Sequence, residues 1–311
     1  MNIKKPAMRE ILQNMSSAYR LAAPVANGKI VDFTEVTDAG EVVMDDRIAY
    51  KSPKECFFPR CEKLLSFRDG EAEANRPEKA VVVFGAKPCD LEALDTLSKV
   101  FTEGTFKDPF FAAHREQNLL IGVSCQEKKP GCFCEKLSVD QSYSDKCDLF
   151  LESAEDSYTV RYVSGRGREE LSPFIPALKT FENSEGPAPP ASTLAVSETA
   201  NWESITEICQ SCGLCSFICP TCHCFDFQDV AQDAAAERYR IWDSCMYPKF
   251  TLHASGHNPR ETVAARYRQR VMHKFVYIPQ NVGPIASTGC GRCVRSCPAG
   301  LDIRSCLEDV T

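Results

Sequence analysis

Two runs of cysteines in the last third of the chain have the spacing of metal-cluster ligands. The first, from Cys209 to Pro220, reads C-x2-C-x2-C-x3-C-P. Bacterial two-cluster ferredoxins bind 4Fe–4S clusters with this run, and its fourth cysteine ligates the other cluster. Zinc sites instead use two separated pairs of cysteines or histidines. The spacing therefore favours iron–sulfur clusters over zinc.

The second run, from Ser287 to Pro298, repeats the spacing with serine in the first position. Crossed ligation between the runs predicts a complete first 4Fe–4S cluster on Cys209, Cys212, Cys215 and Cys297. It predicts a second cluster on Cys219, Cys290 and Cys293, with Ser287 where a fourth cysteine is expected. Three alternatives stay open for the second cluster. It could take a 3Fe–4S form, the Ser287 alkoxide could ligate it, or Cys222, Cys224 or Cys245 could act as the fourth ligand in place of Ser287.

Four cysteines in the N-terminal part follow two apolar runs that predict buried strands. These runs are Ala80–Gly85 and Leu119–Ser124, and their continuous apolar character is typical of a parallel sheet. The carboxyl ends of parallel strands meet at one sheet edge, where open α/β folds bind ligands. Cysteines are also often buried as small apolar side chains, so the spacing alone leaves a third site and simple packing both open. The four residues are Cys89, Cys125, Cys132 and Cys134.

The elements that must position these cysteines are predicted from apolar periodicity. A helix is expected over residues 7–23, with strands at Lys29–Phe33 and Glu41–Met44. The strand–helix–strand pattern around a helix at Asp90–Phe101 indicates a right-handed βαβ unit. Further predictions are a hairpin turn at Gly165 and Gly167, and two C-terminal helices at Phe227–Trp242 and Arg260–Phe275.

Together these features predict an α+β protein with two domains. Residues 1–181 form an α/β domain, and residues 201–311 form a mostly helical, dicluster ferredoxin-like domain. Residues 182–200 are rich in Pro and small polar residues, which favours an extended linker. The many basic residues of the Arg260–Phe275 helix either face solvent or offset the negative charge of clusters and thiolates.

Composition narrows the class of protein. The 311 residues are 43% hydrophobic and 25% charged, which is ordinary for a globular protein and excludes disorder as the main state. No apolar run approaches the roughly 18 residues of a membrane span. The N-terminus shows no apolar secretory segment, so a cytoplasmic location with reduced thiols is expected. The net charge of −7 argues against a nucleic-acid partner.

Seven segments together resemble a known family. They read FGAKPCDLEAL, SCQEKKPGCFC, CQSCGLCSFICPTCHC, WDSCMYPKF, ASGHNPRE, RYRQRVMHKF and TGCGRCVRSCP. From about Ala23 to Ile303 the chain resembles the iron–sulfur β subunit of cytoplasmic sulfhydrogenases and the related iron–sulfur subunit of anaerobic sulfite reductase. The family has cysteines at the positions of Cys89, Cys125, Cys132 and Cys134, which implies a third 4Fe–4S cluster. It also has Cys222, Cys224 and Cys245, whereas Ser287 departs from its pattern.

The resemblance implies an electron-transfer subunit of an oxygen-sensitive hetero-oligomer. In this family the clusters connect a flavin-containing, NAD(P)H-reactive subunit to a catalytic subunit such as a hydrogenase or a sulfite reductase. The sequence itself shows no nucleophile–base pair and no carboxylate dyad, so the chain is expected to have no catalytic site of its own. Two alternatives are an enzyme with a substrate site at the N-terminal cluster and a redox-sensing iron–sulfur protein.

Overall fold

The computed structural model of the chain describes residues 2–77, 79–175, 195–197, 200–232 and 235–307. These residues form two β-sheets, one of seven strands and one of four. The predicted linker at 182–200 lies outside the described residues, except for 195–197 and residue 200. In the described part of the chain, no helix has the length and apolar character needed to cross a membrane.

The first elements supply one half of the smaller sheet and both edge strands of the larger one. They are β1 (Asn2–Lys4), α1 (Lys5–Met15), β2 (Arg20–Asn27), β3 (Ile30–Val36), β4 (Cys61–Arg68) and β5 (Glu71–Ala74). Two short 3-10 helices, Ala39–Glu41 and Pro53–Cys56, lie between β3 and β4. The second of them brings residues of this part of the chain close to the cysteine-rich C-terminal part.

The next elements complete the larger sheet and its helical layers. They are β6 (Val81–Ala86), α2 (Pro88–Thr102), α3 (Pro109–Gln117), β7 (Leu119–Val123), β8 (Leu149–Ser153), β9 (Ser157–Tyr162) and α4 (Gly165–Leu171). The strand order is β1-β9-β8-β7-β6-β2-β3. Strands β2, β6, β7 and β8 are parallel, and the other pairs are antiparallel. The predicted strand–helix–strand unit is confirmed.

Apolar side chains on both faces of the central strands explain this arrangement. Val82 and Phe84 face one core with residues of α1, whereas Val83 faces the other core with residues of α2. Helix α2 begins immediately after β6, because Pro88 occupies the first helical turn and the Asp90 carboxylate accepts the Lys87 backbone N–H at 3.3 Å. The end of β6 and the start of α2 therefore lie at the sheet edge where ligands are expected.

The C-terminal elements are short, and they include two strands. They are α5 (Trp202–Thr206), α6 (Leu214–Phe217), β10 (Phe225–Gln232), β11 (Ala235–Trp242), α7 (Val263–Met272), α8 (Ile278–Val282) and α9 (Arg292–Arg295). A π-helical turn, His273–Tyr277, connects α7 to α8, and a 3-10 helix, Ile303–Cys306, follows α9. The expectation of a mostly helical C-terminal part is wrong, since the part that is described is mixed.

The predicted helix at Phe227–Trp242 is wrong, because this segment is the β10–β11 hairpin. Its Ala-rich centre has a high helix propensity, but β11 pairs with β4 as well as with β10. Arg240 on β11 is 1% exposed and forms buried ion pairs with Glu62 and Asp108. Tertiary pairing thus overrides the local preference. The smaller sheet joins segments from both sides of residue 200, and the division into two domains stays a prediction.

Two predicted elements near the N-terminus are also corrected. The helix predicted at 7–23 ends at Met15, and the following residues form β2, whose apolar residues are buried on both faces. Glu41–Met44 is not a strand. The Asp38 carboxylate accepts the Gly40 N–H at 2.8 Å and closes a 3-10 turn, after which Val42 makes only an isolated bridge to β2.

The predicted turn at Gly165 and Gly167 is the first turn of α4 instead. Ser164 caps this helix by accepting the Gly167 N–H at 2.8 Å. A Cβ at position 167 would lie 2.2 Å from the Asp148 carbonyl oxygen. The glycine therefore permits close approach of α4 to the chain before β8, rather than a hairpin.

Candidate iron–sulfur centres

The two cysteine runs fold in the same way. Gly213 and Gly291, each in a C-G-x-C segment, have φ values of +74° and +71°. Each is the N-cap of a four-residue helix, α6 or α9, and the two helices pack against each other. A Cβ at Gly291 would lie 2.5 Å from the Gly131 carbonyl oxygen. Glycine is thus required both by the left-handed backbone and by this close approach.

The first pocket contains all four residues predicted for the first cluster. Cys209 and Cys212 precede α6, Cys215 lies on it, and Cys297 follows α9. The Leu301 backbone N–H donates to the Cys297 sulfur at 3.3 Å. The structure thus places the last cysteine of the second run among the first three of the first run, as crossed ligation requires.

The second pocket contains the other predicted set. Cys219 of the first run lies there with Cys290, Cys293 and Ser287 of the second run. The three candidate replacements for Ser287 do not line this pocket; these residues are Cys222, Cys224 and Cys245. Among the described side chains, the second pocket is therefore lined by three thiols, and by Ser287 in the predicted fourth position.

The third pocket lies at the carboxyl edge of the larger sheet. It is lined by Cys89 in the first turn of α2, by Cys125 after β7, and by Cys132 and Cys134 in the following loop. Cys290 also lines it, and its carbonyl oxygen accepts a hydrogen bond from the Cys132 thiol at 3.3 Å. The expected convergence of the four N-terminal thiols is observed, although their role as ligands stays a prediction.

The three pockets adjoin one another in a row. Cys290 lines both the third and the second pocket, and Cys293 lines both the second and the first. Within the described residues, no group of three or more His, Cys, Asp or Glu side chains is arranged to hold a metal ion. A single zinc ion needs four sulfurs about 4 Å apart, whereas the thiolates of a 4Fe–4S cluster bind separate irons.

Three buried cations surround the second pocket and its approach. Lys274 donates to the Cys219 sulfur at 3.2 Å, to Thr221 Oγ1 at 2.8 Å and to the Ala286 carbonyl at 2.8 Å. Arg270 donates to the Cys222 sulfur at 3.1 Å and to the Cys215 carbonyl at 2.9 Å.

Lys54 is the third buried cation, and it donates to the carbonyl oxygens of Cys219 and Cys222 at 3.0 and 2.8 Å. It also lies 3.9 Å from the centre of the Trp242 ring. Among the described residues, no carboxylate forms an ion pair with Lys54, Arg270 or Lys274. Buried charges require compensation, so these cations favour thiolates or an anionic group in the pockets.

The pKa shifts agree with this charge arrangement. Burial alone would lower the pKa of Lys274, but Cys219 and Cys222 raise it above its ordinary value. A hydrogen bond from Cys222, together with Lys274 and Arg270, holds the pKa of Cys219 well below that of a free thiol despite its burial. Lys54 differs, because burial lowers its pKa to about 8.

The second pocket also holds an unpartnered hydroxyl. The side chain of Thr288 is 4% exposed, and its Oγ1 has no hydrogen-bond partner among the described residues. A buried hydroxyl without a partner is unfavourable. Soft thiols, buried cations and this free donor together fit an anionic iron–sulfur group. By contrast, the nearby Arg292 is neutralised by Asp90, with N–O distances of 2.5 and 3.1 Å.

The sequence does not indicate the role of all of these residues. The basic residues of Arg260–Phe275 were expected to face either solvent or the clusters, and Arg266, Arg270 and Lys274 are buried. Lys54, however, lies more than 150 residues before Cys219 in the chain, and no motif marks it. Cys56, Cys61, Cys147 and Cys306 line none of the three pockets.

The comparisons with known proteins agree with this picture. Residues 208–301 match the family model of the 4Fe–4S dicluster domain. Over 324 aligned residues, which cover 97% of this chain and 95% of the relative, the chain is 29% identical to sulfhydrogenase 2 subunit beta of Pyrococcus furiosus. No solved structure matches. The predicted resemblance is confirmed: the chain is similar to a sulfhydrogenase β subunit along nearly its whole length, and its residues 208–301 match a 4Fe–4S dicluster domain.

Proposed function

We propose that this chain is the iron–sulfur electron-transfer subunit of a cytoplasmic, multi-subunit oxidoreductase. It relays single electrons between a catalytic subunit, such as a hydrogenase or a sulfite reductase, and a flavin-containing, NAD(P)H-reactive subunit. The observation that carries the proposal is the row of three thiol-lined pockets, which share Cys290 and Cys293. The similarity to a subunit beta supports assembly with other chains.

The chain's own residues hold and tune three proposed sites. The first is held by Cys209, Cys212, Cys215 and Cys297, the second by Cys219, Cys290, Cys293 and Ser287, and the third by Cys89, Cys125, Cys132 and Cys134. Iron–sulfur clusters, when bound, supply one-electron transfer. Burial and hydrogen bonds to sulfur set the reduction potential of such sites. Lys274 donates to a sulfur of the second site, and the Leu301 N–H donates to a sulfur of the first site.

The proposal is tested with the isolated chain, purified without oxygen. We expect photoreduced flavin to reduce it in one-electron steps, because electrons enter a row of adjoining sites. We expect no turnover of NADH, NADPH or sulfite by the chain alone, since the chemistry at both ends belongs to other subunits. Turnover of any of these three compounds by the isolated chain would contradict the proposal and favour an enzyme with its own substrate site.

A further inference from the structure

Besides Cys306, three thiols of the C-terminal part line none of the three pockets. These hairpin-base thiols are Cys222, Cys224 and Cys245, and they lie at the open end of the β10–β11 hairpin. Cys224 immediately precedes β10, and Cys245 follows the last residue of β11, Trp242, by three positions. Phe225 pairs with Trp242, and the Asp243 N–H donates to the Cys224 carbonyl at 3.0 Å. The register of the hairpin thus holds Cys224 close to Cys245.

Two of these thiols influence each other. Interaction with Cys245 lowers the pKa of the Cys224 thiol to about 6, and interaction with Cys224 raises the pKa of the Cys245 thiol above its ordinary value, which agrees with the closeness that the hairpin register imposes. Both residues are partly exposed. Arg270 lies beside them and donates to Cys222. Reactive cysteines are typically found in partly exposed, electropositive surroundings of this kind.

We propose that Cys224 and Cys245 form a redox-active dithiol that exchanges with low-molecular-weight disulfides. The Cys224 thiolate attacks one sulfur of the disulfide RSSR, which forms a mixed disulfide and releases RS⁻. The Cys245 thiol then loses its proton and attacks the Cys224 sulfur, which forms the Cys224–Cys245 bond and releases the second RS⁻. The two thiols have lost two electrons and two protons, and RSSR has become two RSH.

The dithiol adds two-electron chemistry beside the one-electron sites. Lys54 joins the two regions, because its ammonium donates to the carbonyl oxygens of Cys219 and Cys222 at 3.0 and 2.8 Å, and Cys219 lines the second pocket. The hairpin-base thiols therefore lie next to the proposed second site, where the disulfide can exchange electrons with the relay. This link rests on the proposed function, whereas the exchange with a small disulfide does not.

The test is a thiol–disulfide titration of the full-length chain, purified without oxygen. The protein is equilibrated with mixtures of reduced and oxidised dithiothreitol, and free thiols are alkylated with N-ethylmaleimide in denaturant. Disulfides are then located by peptide mass spectrometry, and iron and acid-labile sulfide are measured in the same samples. We expect one two-electron transition, the loss of two alkylated thiols, and a peptide pair joining Cys224 to Cys245.

Matched serine variants separate this pair from other thiols. Cys245→Ser and Cys224→Ser should each abolish the transition, and Cys245→Ser treated with glutathione disulfide should retain glutathione on Cys224. Cys61→Ser is the control, because Cys61 is exposed at the start of β4, and it should behave as the unmodified chain. The disulfide mapping of the unmodified chain needs no variant, so the test stands even where a variant fails to fold.

The outcomes distinguish this inference from the proposed function. A chain that holds iron and sulfide but forms no Cys224–Cys245 disulfide overturns the dithiol and leaves the relay intact. A disulfide that joins other cysteines equally well also overturns it. A Cys224–Cys245 disulfide in a chain that binds no iron after anaerobic reconstitution supports the dithiol and contradicts the relay.

Discussion

Removing the buried charge of Lys274 should make the second site harder to reduce. Its Nζ lies 3.2 Å from the Cys219 sulfur. An added electron spreads beyond that sulfur, so a separation of roughly 6 Å and an effective dielectric constant of about 20 give an attraction of about 3 kcal/mol. A one-electron potential changes by about 59 mV for each ~1.4 kcal/mol. We therefore expect Lys274→Met to lower the potential by roughly 100 mV.

The assay is an anaerobic redox titration followed by electron paramagnetic resonance. Methionine keeps the length and the apolar stem of the side chain, and Thr221 Oγ1 still donates to the Ala286 carbonyl at 2.6 Å. The fold around the pocket should therefore persist, and iron content should equal that of the unmodified chain. Lys274→Arg keeps the positive charge, so the reduction potential of its second site should stay close to that of the unmodified chain.

The matched control is Arg268→Met on α7, the helix that leads into the π-helical turn with Lys274. Arg268 is exposed, and charges exposed to solvent are strongly screened, so its removal should change the potential by less than about 20 mV. An unchanged potential in Lys274→Met, or a shift to more positive values, would refute the electrostatic role assigned to this lysine.

Three further variants test other parts of the structure. Ser287→Cys adds a fourth thiol to the second pocket, and it should remove any 3Fe–4S signal from the oxidised protein; persistence of that signal would show that Ser287 is not at the ligand position. Cys89→Ala should lower the iron content by about four per chain. Cys147 lies outside the pockets, so Cys147→Ala should leave the iron content unchanged. Equal iron contents in the two variants would contradict the proposed third site. Arg292→Met leaves the buried Asp90 carboxylate without its partner, and it should lower the free energy of unfolding, measured in urea, by about 3–5 kcal/mol. A smaller loss in the double variant with Asp90→Leu would confirm that the unpaired carboxylate causes the loss. An equal loss in the double variant would contradict this cause.

The larger sheet could be predicted from the sequence where its strands are continuous and apolar. Val81–Ala86 and Leu119–Val123 match the expected strands closely, because burial on both faces leaves no polar position in them. The hairpin at β10 and β11 could not be predicted, since its pairing with β4 joins residues about 170 positions apart along the chain. The local helix or strand propensity of a segment does not indicate which distant strand will pair with it.

The thiol groups were predictable to different extents. The first two sets follow from local spacing, and the structure brings each together in one pocket. The third set depended on knowing that two strands are parallel, which places Cys89 and Cys125 at one edge. Lys54 was not predictable, because only the folded chain brings it to the carbonyl oxygens of Cys219 and Cys222.

The central claim is that this chain holds a row of iron–sulfur centres. Iron and acid-labile sulfide, measured on the fully reconstituted chain without oxygen, test it most directly when combined with electron paramagnetic resonance during reduction. The structure predicts about eight to twelve irons per chain, from two or three clusters, and spin coupling between neighbouring reduced centres. Fewer than about six irons, or a single isolated centre, would contradict it.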